Sequence, residues 1–347
     1  MTLRHIESTL KNRMKAASEY FMPDNKDPMQ ALQVITQAVM DLAAQKNQKQ
    51  AVDFREAYDA IMGDYLAKWH NLDTPPGLML GWPTLDEMSG GLGRGDMVSF
   101  LGRPGAGKTW MLLKTALHGW AQAAEKNYTE QDQSRLFISM EMNVLPIEQR
   151  LASMHAHVPA KGLKDAALTS GQLKKLKAGL IEIKGYGAPF WVVDGNLAAT
   201  VEDIWMLARQ LNPGAIFIDG GYLVKHPSEK DRYRRVAENA ELMKSDLSAI
   251  APVVCSWQFA KSASKKNAKK GEKVSMDDIG YSDVIAQVSS LAVGFFEEES
   301  VSTLKHRKAD ILKGRNGEIG SFLTNWNFLS MDFSEVVEQD LGELQFL

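Results

Sequence analysis

The segment that most restricts what this chain can fold into is Gly102-Arg103-Pro104-Gly105-Ala106-Gly107-Lys108-Thr109, which fits G-x-x-x-x-G-K-[ST]. It follows an apolar run, Met97 to Leu101, and precedes a helical pattern, Trp110 to Gln122, so it reads as the turn from a buried strand into a helix. Glycines there let backbone N–H groups close on phosphate oxygens at a helix N-terminus. Lys108 would neutralise terminal phosphates, and Thr109 would offer its hydroxyl to Mg²⁺. The expected ligand is a nucleoside triphosphate, held by Gly102, Arg103, Gly105, Ala106, Gly107, Lys108, Thr109 and Trp110.

A turn of this kind needs a sheet around it. Short apolar runs recur at Leu136 to Met140, Phe190 to Val193, Ala215 to Ile218, Val253 to Trp257 and Leu291 to Phe296, with helical stretches between them. Mixed strands are expected near Ala309 to Lys313 and Ser321 to Phe328. The pattern predicts an α/β fold, a mainly parallel sheet flanked by helices, with its chemistry at the strand ends. Asp219 ends one run and is the expected metal-side carboxylate beside Thr109. Asp194 ends another and has the same shape, but glycines follow Asp219 and leave room for a nucleotide. Glu141 stands just past a third run, as a base for water or as a charge favoured at the start of the helix from Asn143.

With 347 residues, 44% hydrophobic and 24% charged, the chain can bury one large core or two smaller ones. Forty basic against 43 acidic residues give a net charge of −3, so nucleic acid could be held only by a local patch. One exists: Lys261, Lys265, Lys266, Lys269, Lys270 and Lys273 against Glu272 give a local charge of +5. Arg232, with Arg234 and Arg235, is a weaker candidate. The single cysteine, Cys255, excludes an internal disulfide and a multi-thiolate zinc site and points to a reducing compartment. His155 and His157, at i, i+2, would splay on a helix and do not suggest a metal site. No signal-peptide core opens the chain and no apolar run approaches the roughly 20 residues that span a bilayer. The expectation is a cytoplasmic protein without membrane contact.

Residues 1–76 read differently. Apolar stripes at Leu3 to Phe21, Leu32 to Leu42 and Phe54 to Trp69 recur at steps of three and four, which predicts a small all-helical region. It is either a bundle packed on itself or a collar touching neighbouring copies. Prolines at 75 and 76 mark a boundary, with an α/β domain over 77–330 and an acidic tail over 331–347.

Taken in order, Gly81-Trp82-Pro83-Thr84-Leu85-Asp86, Gly90-Gly91-Leu92, the Gly102–Thr109 loop, Ser139-Met140-Glu141-Met142, Ile218-Asp219, Ser256-Trp257-Gln258 and Lys313-Gly314-Arg315-Asn316-Gly317 resemble the motor domain of DnaB-type replicative helicases, a branch of the RecA-like ATPases. The resemblance implies a RecA-like core, ATP and Mg²⁺ as cofactors, a homo-hexameric ring on single-stranded DNA moving 5′ to 3′, and a separate primase and helicase loader. It implies Glu141 as catalytic glutamate, Asp219 as Walker B acid and Gln258 as γ-phosphate sensor. Lys313 and Arg315 would be a basic pair reaching into the neighbour's site; from their own context they could equally be a solvated turn before Asn316-Gly317. The chain departs from the family where Gly220-Gly221 precede Tyr222-Leu223 after Asp219, and at Gly280-Tyr281-Ser282-Asp283. The short region before residue 77 suggests a compact phage- or plasmid-type form, in host cytoplasm if phage-encoded, with Val52 to Trp69 as its linker helix. A recombinase or helicase-loading ATPase using ATP as an assembly switch, or a ring that has lost motor activity, are the competing expectations.

Overall fold

The computed structural model describes residues 3–22, 26–46, 54–70, 77–125, 134–197, 199–258, 283–296 and 305–336. The chain divides into two compact units, Met1–Leu72 and Asp73–Leu347.

In the first unit, α1 (Leu3–Ser18) packs against α2 (Pro28–Lys46), with Ala17, Ala31 and Ala38 buried. Small residues there let two helices approach closely. The Asp27 carboxylate opens α2 by accepting from the backbone N–H of Met29 and Gln30. The linker helix expected over Val52 to Trp69 begins later among the described residues. A 3₁₀ turn, Phe54–Glu56, closes on an Ala57 N–H to Phe54 carbonyl bond of 3.1 Å, and the helix proper, α3, runs Tyr58–His70. Ile61, Tyr65 and Trp69 on α3 are exposed, and Tyr65 stacks on Trp69.

Among the described residues the second unit is built on eight strands: β1 (Met97–Gly102), β2 (Arg135–Ser139), β3 (Phe190–Asp194), β4 (Ala215–Asp219), β5 (Val253–Gln258), β6 (Leu291–Phe296), β7 (His306–Lys313) and β8 (Gly320–Asn325). They form one sheet in the order β3-β2-β4-β5-β1-β6-β7-β8. Neighbours from β3 to β6 pair in parallel; β7 and β8 turn back antiparallel. The central strands are buried on both faces, which is why they read as unbroken apolar runs. Alternation still sorts them. Val98, Phe100, Phe137 and Phe217 enter the core on one face, whereas Met97, Leu101, Ile138 and Ile218 enter the core on the other.

Helices cover both faces: α4 (Pro83–Ser89), α5 (Lys108–Glu125), α6 (Val144–His155), α7 (Ala160–Lys164), α8 (Ser170–Lys184), α9 (Val201–Leu211), α10 (Arg232–Leu242) and α11 (Asp283–Val288). Capping boxes at Thr169 and Thr200 and the Asp231 side chain fix the starts of α8, α9 and α10. The expected tail boundary at residue 331 falls inside packed structure. Met331 and Phe333 are buried, the Trp82 indole donates to the Phe333 carbonyl at 3.0 Å, and Glu335 accepts from the Thr84 backbone N–H at 3.0 Å. An acidic segment can pack there because its apolar alternates, not its acids, face the core; residues 337–347 lie outside the described residues.

Candidate nucleotide site

Because β2, β4, β5 and β1 are adjacent and parallel, their C-terminal ends line one edge of the sheet. Chain order changes direction here, since β1 leads to β2 across two intervening strands, and such points open a crevice for ligands. The glycine-rich turn sits at this edge. Gly105 and Gly107 adopt φ of 87° and 92°, and a Cβ on Gly107 would stand 1.9 Å from the Trp326 ring, so backbone angle and packing both demand glycine. Successive N–H groups before the first turn of α5 make an anion-binding concavity. Lys108 is buried beneath the loop and donates to the Arg103 carbonyl at 3.0 Å. Burial lowers its pKa, opposed by the nearby Glu141 and Asp219 carboxylates.

Asp219, the last residue of β4, is fully buried and accepts from Thr109 Oγ1 at 2.8 Å and Ser256 Oγ at 2.9 Å. Burial raises its pKa, Glu141 adds to the rise, and the two hydroxyls and Lys108 oppose it. Thr109 and Asp219 thus bring a hydroxyl and a carboxylate together, hard oxygen donors suited to Mg²⁺, which keeps several of its own waters. Asp194, by contrast, ends β3 at the sheet margin and accepts from the Asn196 backbone N–H.

Glu141 stands just past β2, exposed, and accepts from the Tyr222 hydroxyl; Gln258 Nε2 donates to the same hydroxyl at 2.6 Å. Three expected residues, Lys108, Asp219 and Glu141, therefore act electrostatically on one another, and Gln258 joins them through Tyr222. Sequence reasoning missed Tyr222 in this role, and it missed Arg150. The Arg150 guanidinium lies 4.4 Å from the Trp110 ring centroid; burial lowers its pKa against the pull of Asp219 and Glu141. Trp110 also packs on Phe328 and Phe333, so its ring is part of an aromatic wall beside the loop. The alternation Trp326, Phe328 was the available signal for that wall.

Lys313 and Arg315 are elsewhere. Arg315 pairs with Asp96 and donates to the Ser89 carbonyl, while Lys313 donates to the carbonyls of Ala286 and Gln287 at 2.8 and 3.0 Å. Asp96 immediately precedes β1 and Gly102 ends it, so Arg315 sits about 20 Å from its own phosphate loop at roughly 3.3 Å per residue. Hydrogen bonds from Arg315, the Gly93 N–H and Ser290 hold the Asp96 pKa below its ordinary value although burial opposes them. Arg232 is exposed at the start of α10. Lys261, Lys265, Lys266, Lys269 and Lys270 lie outside the described residues, as do Gly280 to Ser282.

The sequence family described as "DnaB-like helicase C terminal domain" matches residues 77–335, most of the chain. The chain belongs to that family. The DnaB-like chain is 27% identical over 275 residues to a probable plasmid replicative DNA helicase of Chlamydia psittaci, covering 77% of this chain and 57% of that one. It is 28% identical over 240 residues to the replicative DNA helicase DnaB of Rickettsia bellii, covering 66% and 46%. It thus spans about half the length of these relatives. Among solved structures, an isolated ATPase domain matches with a TM-score of 0.68 at 20% identity, covering 82% of this chain and all of that one. A DnaB-like replicative helicase, described with its interactions with primase, matches with a TM-score of 0.69 at 19% identity, covering 96% and 76%. These two likenesses establish the RecA-like fold. Among the described residues no helix is long and apolar enough to cross a membrane.

Proposed function

We propose that this chain is an ATP-driven replicative helicase motor that works as a ring of six copies on single-stranded DNA, moving 5′ to 3′. The observation that carries the reading is the meeting of Lys108, Thr109, Asp219, Glu141 and, through Tyr222, Gln258 at adjoining strand ends in a DnaB-like chain.

In this reading Lys108 and the backbone N–H groups of Gly105 to Thr109 bind the β- and γ-phosphates of ATP. Thr109 and Asp219 would hold Mg²⁺, which when bound offsets phosphate charge. Glu141 orients water against the γ-phosphate and takes its proton, while Gln258 senses that phosphate. Lys313 and Arg315 serve the site of the adjacent copy, where a guanidinium stabilises the charge of the transferring phosphoryl group. Lys261, Lys265, Lys266, Lys269, Lys270 and, more weakly, Arg232 bind DNA phosphates without reading sequence. A separate primase and a helicase loader are the expected partners, in the cytoplasm. The primase named with one structural neighbour supports the first of these.

The test is ATP hydrolysis with and without single-stranded DNA, beside native mass in Mg²⁺ and a nonhydrolysable analogue. DNA-stimulated hydrolysis by a closed six-subunit particle is expected. Unstimulated hydrolysis by a monomer or open filament contradicts the motor and favours an ATPase that uses nucleotide as an assembly switch.

A further inference from the structure

One phenol joins three strand ends that lie far apart in sequence. Glu141 and Tyr222 are 81 positions apart, Tyr222 and Gln258 another 36, yet the order β2-β4-β5 puts their ends side by side. The direction of the chain of bonds follows from chemistry. The Gln258 amide nitrogen can only donate and an ionised Glu141 carboxylate can only accept, so the single Tyr222 proton points to Glu141 Oε1 and its lone pairs face Gln258 Nε2 at 2.6 Å.

The backbone forces this placement. After Asp219, Gly220 takes φ 95°, and a Cβ on Gly221 would stand 2.4 Å from Cys255 Sγ and 2.9 Å from the Trp257 ring. Only glycine lets the 3₁₀ turn Gly221–Leu223 press onto β5, and that turn sends Tyr222 inward to 5% exposure. The Gly220-Gly221 departure noted in the sequence is what builds the link.

Resting on the hydrolysis reading above, we propose that Tyr222 is a positioning residue, holding the Glu141 carboxylate for water and passing to it the position of Gln258. Gln258 is the last residue of β5, so a shift at the end of that strand reaches Glu141 through two hydrogen bonds.

The test is steady-state ATP hydrolysis by the full chain in Mg²⁺. Tyr222→Phe keeps the ring and removes only the hydroxyl. It lowers kcat roughly tenfold, the scale of a hydrogen bond lost to a charged group, with KM for ATP within about twofold. Gln258→Ala removes the other bond but also a γ-phosphate contact, so it is read through the double variant, which falls little further than either alone. Unchanged kcat in Tyr222→Phe, alongside an inactive Glu141→Gln, overturns the link and leaves the hydrolysis reading intact. A fall in kcat matched by a rise in KM and a drop in thermal midpoint overturns it as well, marking a structural tyrosine. Glu141→Gln hydrolysing at the unmodified rate removes both this inference and the reading beneath it.

Discussion

The residues expected to form one catalytic centre fall into two regions that differ in state. Around the phosphate loop, Lys108, Thr109, Asp219 and Glu141 lie close together, with Lys108 bonded to the Arg103 carbonyl, Thr109 to Asp219 and Glu141 to Tyr222. At the far end of the sheet, Lys313 and Arg315 are engaged as well, but with Asp96 and with the last carbonyls of α11. A strand length separates the two regions, and the antiparallel turn of β7 explains it: its C-terminal end lies beside the N-terminal ends of the parallel strands. The phosphate-binding residues and the basic pair thus occupy opposite ends of one sheet, which is the arrangement the proposed shared site requires.

Substitutions in each region separate the two roles. The largest effect is expected from Arg315→Ala in the assembled particle, where hydrolysis falls by about a thousandfold or more while nucleotide binding by separated subunits is unchanged. Lys108→Ala loses about a hundredfold to a thousandfold in hydrolysis and also loses nucleotide binding in both forms. Equilibrium binding of a fluorescent analogue beside turnover separates the two; an Arg315→Ala protein that binds poorly as a monomer would erase the distinction.

Next in size is Gly107→Ala, which tests whether the phosphate half is preformed. A Cβ at φ 92° costs about 1–3 kcal/mol in strain, and the displaced Trp326 adds to it. The urea midpoint should fall and the loop should lose affinity; an unchanged midpoint would mean the loop is not held as described.

The smallest effect lies away from both regions and serves as their control. Lys114 sits 4.0 Å over the Trp82 ring and donates to the Gly81 carbonyl, and burial brings its pKa down to about 7 while Asp86, Asp332 and Glu335 pull the other way. Between pH 7 and the ordinary lysine value of 10.5 the unfolded chain binds a proton that the folded chain lacks, so stability rises with pH across that window. Neighbouring His118, brought down to about 4, adds a rise of the same sign between pH 4 and 6.5. Lys114→Met should flatten the upper rise in thermal midpoint without altering turnover. A persisting slope would assign it to other groups.

Much of the α/β unit was legible because buried parallel strands cannot hide: β1, β2, β4 and β5 read as apolar runs ending in the residues that carry chemistry, Gly102, Glu141 just past β2, Asp219 and Gln258. The phosphate loop was legible because few residues other than glycine accept its backbone angles. Tyr222 and Arg150 were not, because each reaches the site by tertiary placement: a tyrosine after two glycines and one arginine on a helix carry no periodic signal. The segment after residue 331 misled because its acids suggest solvent, whereas Met331 and Phe333 complete the core. The break before α3 was invisible because a 3₁₀ turn preserves the three-residue spacing of an apolar stripe.

A hydrolytic site shared between two copies can be detected by mixing subunits. Arg315→Ala and Glu141→Gln proteins, each inactive alone, are combined under conditions of subunit exchange verified by native mass. Wherever the intact Glu141 of one variant meets the intact Arg315 of the other, a complete site forms, so hydrolysis should return to a fraction of the unmodified rate. Well-mixed particles that stay inactive would contradict the shared site.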